Sequence, residues 1–271
     1  MVPDWKAGLP LDTPELSIPD PSDHPSIGAL INRELHRETD NPNDSPYLIL
    51  HNIPPDFIEK IYWNPRAYDM PNIWMWYNEA ERFLIAKRAP DMVEEAARSC
   101  LLNDLYVKTH EMGLGQYYGC FGRTTWDVYV EGWRRFPTVV VHRGYMDFVE
   151  RYRVEARWWL MVIRGNKKKE MKSVIVVGVE RARPHILIEE WKNDDVVQPP
   201  IKAQTLNFTM GEDGIIQITG ASFTIRFSDL FGRDPANQQE RDTTWTKEEL
   251  ERYAKMVFVD QGFITIERYY S

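Results

Sequence analysis

The stretch Lys172-Ser173-Val174-Ile175-Val176-Val177-Gly178-Val179-Glu180 most narrows the folds open to this chain. It is β-branched and shows no polar alternation, so it reads as a strand covered on both faces. Ile186 to Lys192 pairs with it after the turn at Arg183-Pro184. Just upstream, an amphipathic helix runs from about Asp147 to Ile163, with Val149, Tyr152, Ala156, Trp159, Leu160 and Ile163 on one face. Ahead of that lie three strand-like pieces, Gln116 to Phe121, Trp126 to Val130 and Thr138 to His142, punctuated by Gly122-Arg123 and by Gly132 to Pro137.

An earlier helix begins after Pro90. Asp91 is its N-cap and Glu94 stands three residues on, as a capping box requires. Val93, Ala97, Cys100, Leu101, Leu105 and Met112 recur at helical spacing, and Gly113 supplies the stop. Further strands are expected at Gln204 to Thr209, Ile215 to Thr219 and Ser222 to Phe227, then a helix capped by Thr246 with Glu249, then a strand from Phe263 to Tyr269. The order predicts an α/β fold (α+β, mixed sheet) with helices on both sheet faces. Residues 1–46 are rich in Pro, Asp and Ser and read as an irregular arm, with one short helix from Ile27 to Arg37; residues 47–271 read as a single domain. The aromatics Tyr62, Trp63, Tyr68, Trp74, Trp76 and Tyr77 are expected to pack across the main sheet or to line a ligand pocket.

Composition narrows the function classes. The longest unbroken apolar run, Val174 to Val179, is far too short to span a bilayer, so no membrane role is expected. The start Met1-Val2-Pro3-Asp4-Trp5 has neither a basic nor an apolar leader region, and the two cysteines, Cys100 and Cys120, read as buried reduced thiols. Both point to an intracellular protein, cytoplasmic or nuclear. A net charge of −8 argues against simple coating of nucleic acid. Even so, Arg151, Arg153, Arg157, Arg164, Lys167, Lys168, Lys169 and Lys172 face only Glu155 and Glu170 within their segment, which is either a phosphate-facing patch or a solvated helix end.

The words Phe136-Pro137-Thr138-Val139-Val140-Val141, then Gly144-Tyr145, then Glu155-Ala156-Arg157-Trp158-Trp159-Leu160 resemble a large family of uncharacterised fungal proteins that reads roughly "WPTLVIEVGYSES…L..DARWWL". The likeness continues at Ile186 to Trp191, at Phe227-Ser228-Asp229-Leu230-Phe231 and at Trp245 to Leu250, and so covers most of the chain after about Asp91. That family is similar to the restriction-endonuclease-like, Uma2-like group of PD-(D/E)xK nuclease-fold proteins. The resemblance implies a helix-strand-strand-strand-helix-strand core, here with extra C-terminal strands and a helix. It also implies a site in which two carboxylates on adjacent strand ends hold Mg²⁺ or Mn²⁺. Mapped onto this sequence, the first acid is Asp127, preceded by Trp126 instead of Pro, and the second position is His142, while Gly144 stands where the standard motif places a lysine that the fungal family itself lacks.

Imidazole in place of a carboxylate removes one charge and one hard oxygen ligand, so binding of Mg²⁺ or Mn²⁺ should be weakened or absent. An Asp127–His142 metal pair would need a third ligand, with Glu94, Glu95 and Glu131 the options. The first reading is therefore a pseudo-nuclease that binds a nucleic acid or a protein partner through the old cleft, with His142 a hydrogen-bonded strand-end residue. The second is a small-molecule enzyme, in which His142 is the general base and Asp127 fixes its tautomer. Trp74, Trp76, Tyr118, Arg143 and Tyr145 are the candidate substrate pocket in that reading. A third is a nuclease that still works with Mn²⁺. Glu189-Glu190-Trp191-Lys192 holds a Glu-x-Lys triplet, read as chance spacing on an outer strand.

Overall fold

The computed structural model describes residues 6–10, 12–18, 23–35, 45–63, 74–88, 90–119, 129–130, 138–162, 171–193, 199–220 and 222–265. The chain divides into two compact units, Leu9–Ala89 on one side and Met1–Gly8 with Pro90–Ser271 on the other. No helix among the described residues is long and apolar enough to cross a membrane.

Strand β1 (Glu15–Ser17), helix α1 (His24–Leu35), β2 (Tyr47–His51), α2 (Pro55–Trp63), β3 (Trp74–Asn78) and β4 (Phe83–Lys87) make up the first unit. Its sheet runs β1-β2-β4-β3, with β1 parallel to β2 and the other pairs antiparallel. Leu48 and Leu50 stand opposite Ala86 and Leu84, and this apolar row meets Ile27, Ile31 and Leu35 of α1 and Phe57 of α2. Ile27, Ile31 and Leu35 recur every four residues, so one helical stripe faces the sheet. The segment expected to be an irregular arm thus contributes a strand and a twelve-residue helix. Of the aromatics expected to pack across the main sheet, Tyr62 and Trp63 stand on α2 and Trp74, Trp76 and Tyr77 on β3 of this unit and not on the larger sheet, while Tyr68 lies outside the described residues. Within the unit Tyr77 packs on the local core and donates from its hydroxyl to the Ile53 carbonyl at 3.0 Å.

The second unit holds α3 (Met92–Glu111), the short strands β5 (Tyr118–Gly119) and β6 (Tyr129–Val130), β7 (Val139–Tyr145), α4 (Val149–Val162), β8 (Ser173–Val179), β9 (His185–Lys192), β10 (Ile201–Met210), β11 (Ile216–Thr219), β12 (Thr224–Ile225), α5 (Phe227–Phe231), β13 (Thr243–Thr244) and α6 (Lys247–Asp260). Its five-stranded sheet runs β11-β10-β9-β8-β7. Strands β7 and β8 are parallel, joined through α4, and the remaining pairs are antiparallel. All seven residues of β7 and all seven of β8 are buried, as the β-branched runs predict. Both expected capping boxes are present, Asp91 with Glu94 and Thr246 with Glu249.

Three expectations change. Strands β5 and β6 form their own two-stranded sheet and do not join the five-stranded one. Strand β9, with its Glu-x-Lys triplet, is the middle strand and not an outer one. Residues 263–265 are not in a strand, and the rest of the strand expected there lies outside the described residues. Cys100 is half-buried, its thiol pushed up to about 11 chiefly by burial, whereas Cys120 lies outside the described residues.

After α5, Gly232 takes φ +65° and the chain makes an exposed excursion back to Glu240. The Glu240 carboxylate closes that excursion, accepting two bonds from Arg233 at 2.6 and 2.8 Å and one from the Ala236 amide at 2.6 Å. Those donors, Arg233 first, hold its carboxyl down at about 2. A depressed acid stabilises the fold above its ordinary value of 4.5 and loses that contribution as pH falls through about 2. Glu240→Gln is accordingly expected to lower stability at neutral pH and to flatten the decline between pH 4.5 and 2 in acid denaturation followed by circular dichroism. An unchanged acid limb would show that the Arg233 pairing contributes nothing to folding.

Candidate functional site

Side chains alternate across a strand, so β7 presents Val140, His142 and Gly144 to one face of the sheet and Val141, Arg143 and Tyr145 to the other. Helix α4 covers the first face. His142 is 2% exposed there, with Nδ1 3.5 Å from Glu155 Oε2. The other oxygen, Glu155 Oε1, accepts from Arg151 Nε at 3.0 Å. Glu155 and Arg151 are one helical turn apart on the side of α4 that also carries Tyr152 and Ala156, and all four are buried. An imidazole, a carboxylate and a guanidinium thus lie in line between strand and helix.

Gly144 explains how the helix comes so close. A Cβ added there would sit 1.9 Å from the Tyr152 hydroxyl oxygen and 2.3 Å from Cζ. Position 144 is therefore closed to any larger side chain by the Tyr152 ring. Residues 142 and 144 both face buried atoms of α4.

On the opposite face, Arg143 Nη2 is 2.6 Å from Glu95 Oε2, and Glu95 Oε1 accepts from Arg98 at 2.8 Å. The Tyr145 hydroxyl donates to Asp91, the N-cap of α3, while the Arg181 guanidinium lies 3.7 Å above the Tyr145 ring. Burial, reinforced by Asp91, pushes the Tyr145 phenol well above its ordinary value. Arg143 and Tyr145 therefore come together, but on the far side of the strand from His142 and engaged with α3, so the three do not line one pocket.

The remaining sequence candidates distribute as follows. Asp127 and Glu131 lie outside the described residues. Trp74 and Trp76 stand on β3 in the Leu9–Ala89 unit and Tyr118 on β5 in the other unit, and the side chains of all three lie outside the described residues. Glu94 is committed to the helix cap, its carboxylate accepting from the Asp91 amide at 3.0 Å; Glu95 is held by two arginines. Neither is placed as a ligand beside His142. Among the described residues, no three His, Cys, Asp or Glu side chains gather as a metal would require. The first unit has an open groove of about 690 Å³ lined by Leu16, Ile18, Ile27, Leu30, Arg33 and Glu34, none of them a sequence candidate.

Two carboxylates that sequence reasoning set aside are fully buried. Glu189, on the α4 face of β9, accepts from Arg153 Nε at 2.8 Å and Nη2 at 2.5 Å, from Lys202 at 3.0 Å and from the Trp191 indole at 3.2 Å. Burial works against its ionisation, yet the Arg153 and Lys202 bonds hold its carboxyl below the ordinary range. Glu190, on the other face, accepts from Ser173 at 2.8 Å and Gln204 at 2.5 Å, and Lys192 bridges it at 3.0 Å to Asp229 at 2.8 Å. A β-bulge between Lys202 and Gln204 turns these two neighbours to opposite faces, so that each meets its own glutamate. The sequence signal for these pairs was a charged residue at a core position: Glu155 interrupts the apolar face of α4, and Glu189 and Glu190 interrupt a buried strand.

No protein-family model matches the chain, and neither does any curated protein or any solved structure.

Overpacking a filled interior typically costs about 1–3 kcal/mol. Gly144→Ala is expected to lose about that much in urea denaturation, and Tyr152→Leu in the same chain is expected to recover part of it by vacating the clashing ring. A neutral Gly144→Ala would contradict the close approach of α4 to β7.

Proposed function

We propose that the chain is a divergent protein of the restriction-endonuclease-like group in which position 142 no longer serves a metal, and that it acts by binding a partner rather than by cutting phosphodiesters. The observation that carries this reading is the environment of His142, 2% exposed and set against Glu155, which Arg151 in turn holds. A metal ligand needs a lone pair directed into a cavity that also admits water and substrate. Here the ring faces a helix. The neighbouring position supports the same reading, since Tyr152 fills the space that a catalytic lysine at 144 would need.

The charge distribution favours a protein partner over nucleic acid. The net charge is −8, and two cations of the basic segment turn inward: Arg151 to Glu155, and Arg153 to Glu189. Phosphate binding relies on cations left available at the surface. Arg164 and Lys167 to Lys169 lie outside the described residues. The acid–base reading keeps one supporting observation, because a carboxylate beside Nδ1 is what fixes an imidazole tautomer for proton transfer.

His142→Glu separates these readings. It restores the carboxylate of the nuclease pattern but sets it against Glu155, so a stability loss of about 1–3 kcal/mol is expected, with no heat on calorimetric titration with Mg²⁺ or Mn²⁺. Metal binding by that variant together with EDTA-sensitive cleavage of plasmid DNA would overturn the proposal.

A further inference from the structure

Among the described residues, strand β1 ends the sheet of the first unit, which runs β1-β2-β4-β3. The Pro14 carbonyl accepts from the Ile49 amide at 2.9 Å, and the Ile18 amide donates to the His51 carbonyl at 3.1 Å. The even positions of β1 therefore bond β2. Backbone groups alternate along a strand, so Ser17, which is exposed, turns its amide and carbonyl away from β2. The open groove of about 690 Å³ follows that edge. Leu16, Ser17 and Ile18 all line it, although side chains of neighbours in a strand point to opposite faces.

The other wall is α1, where Ser26, Leu30 and Arg33 form a stripe beside the Ile27-Ile31-Leu35 row that faces the sheet. Leu16 and Leu30, one on each wall, pack on the buried core but are themselves only partly buried. Between Ser26 and Arg33 the helix rises roughly 10 Å, the length of about three strand residues. A helix spends its backbone groups on itself, whereas an extended chain has donors and acceptors to offer an open strand edge. At the rim stands Arg33, its side chain 72% exposed, with Nε and Nη2 sharing one oxygen of its neighbour Glu34 at 2.9 Å. So exposed an ion pair contributes little, and a two-pronged bond to an incoming carboxylate would be stronger.

We propose that this groove docks an extended segment of a partner protein. The segment adds to β1 as a further strand, sets an apolar side chain between Leu16 and Leu30, and offers a carboxylate to Arg33. That the occupant is a protein rests on the binding role proposed above. His142 lines no part of the groove, so metal binding by His142→Glu would overturn the reading of position 142 and leave this docking edge standing.

The test is selection of phage-displayed random peptides on the full chain, followed by fluorescence anisotropy with the labelled consensus peptide. That consensus is expected to alternate apolar and polar residues and to carry an acid at a fixed place. Ser17→Pro removes an amide that β2 does not use, and is expected to weaken binding at least about tenfold with the circular dichroism unchanged. Arg33→Glu is expected to weaken it about as much, and to regain it when lysine replaces the acid of the peptide. Leu30→Asp stands in if Ser17→Pro does not fold. In the unaltered chain, the peptide is expected to slow hydrogen exchange at the Ser17 amide, and unchanged exchange overturns the proposal whatever the variants do. So do a consensus with helical spacing, no peptide selected above background, and full binding by a folded Ser17→Pro chain. Self-association of the chain that Ser17→Pro abolishes would also overturn it, by giving the edge to a second copy.

Discussion

The rest of the second unit depends on how α4 seats against the parallel pair β7–β8. That helix brings Arg151 and Glu155 into a face otherwise made of Tyr152, Ala156, Trp159 and Leu160, all buried. Ions taken out of water are tolerated only where they meet partners, and removing one member of a buried pair typically costs about 3–5 kcal/mol. The chain meets that demand by placing His142 under Glu155 and the Ala7 carbonyl beside Arg151. Gly144 then allows the Tyr152 ring to come down onto the strand. Packing and charge pairing are thus one constraint, which decides what the side chain at 142 can reach.

Strand β9 repeats the device on both faces of the sheet at once. Glu189 and Glu190 point to opposite sides, and each gathers donors from different elements: Arg153 and Lys202 for one, Ser173, Gln204 and Lys192 for the other. The bulge in β10 is what permits this, since without the extra residue Lys202 and Gln204 would fall on the same side. Desolvation offsets much of what such paired charges gain, whereas removing one partner leaves a buried charge uncompensated. The pairs also turn cations inward that would otherwise enlarge a phosphate-binding surface.

What could be read from the sequence was local. The caps at Asp91 and Thr246 act within one helical turn, and the β-branched run of β8 declares its own burial, so all three were legible. Period-two alternation likewise places His142 and Arg143 on opposite faces of β7. What escaped depends on distant pairing. Strands β2 and β4 are five-residue apolar runs more than thirty positions apart in a composition that resembles loop, and β1 has only three residues. The middle place of β9 follows from β10 folding back beside it, which no local pattern announces. The partner of His142 was equally hidden, because Glu155 looked like one more charge on a basic helix until α4 was seen with that side against the sheet.

Placing residue 142 inside a closed helix–sheet contact is the central claim, and paramagnetic broadening by Mn²⁺ tests it most directly. With histidine ring protons observed by NMR, the His142 signal is expected to persist at Mn²⁺ concentrations that already broaden exposed His110. Selective loss of the His142 signal at substoichiometric Mn²⁺ would mean that the imidazole still faces a working metal site.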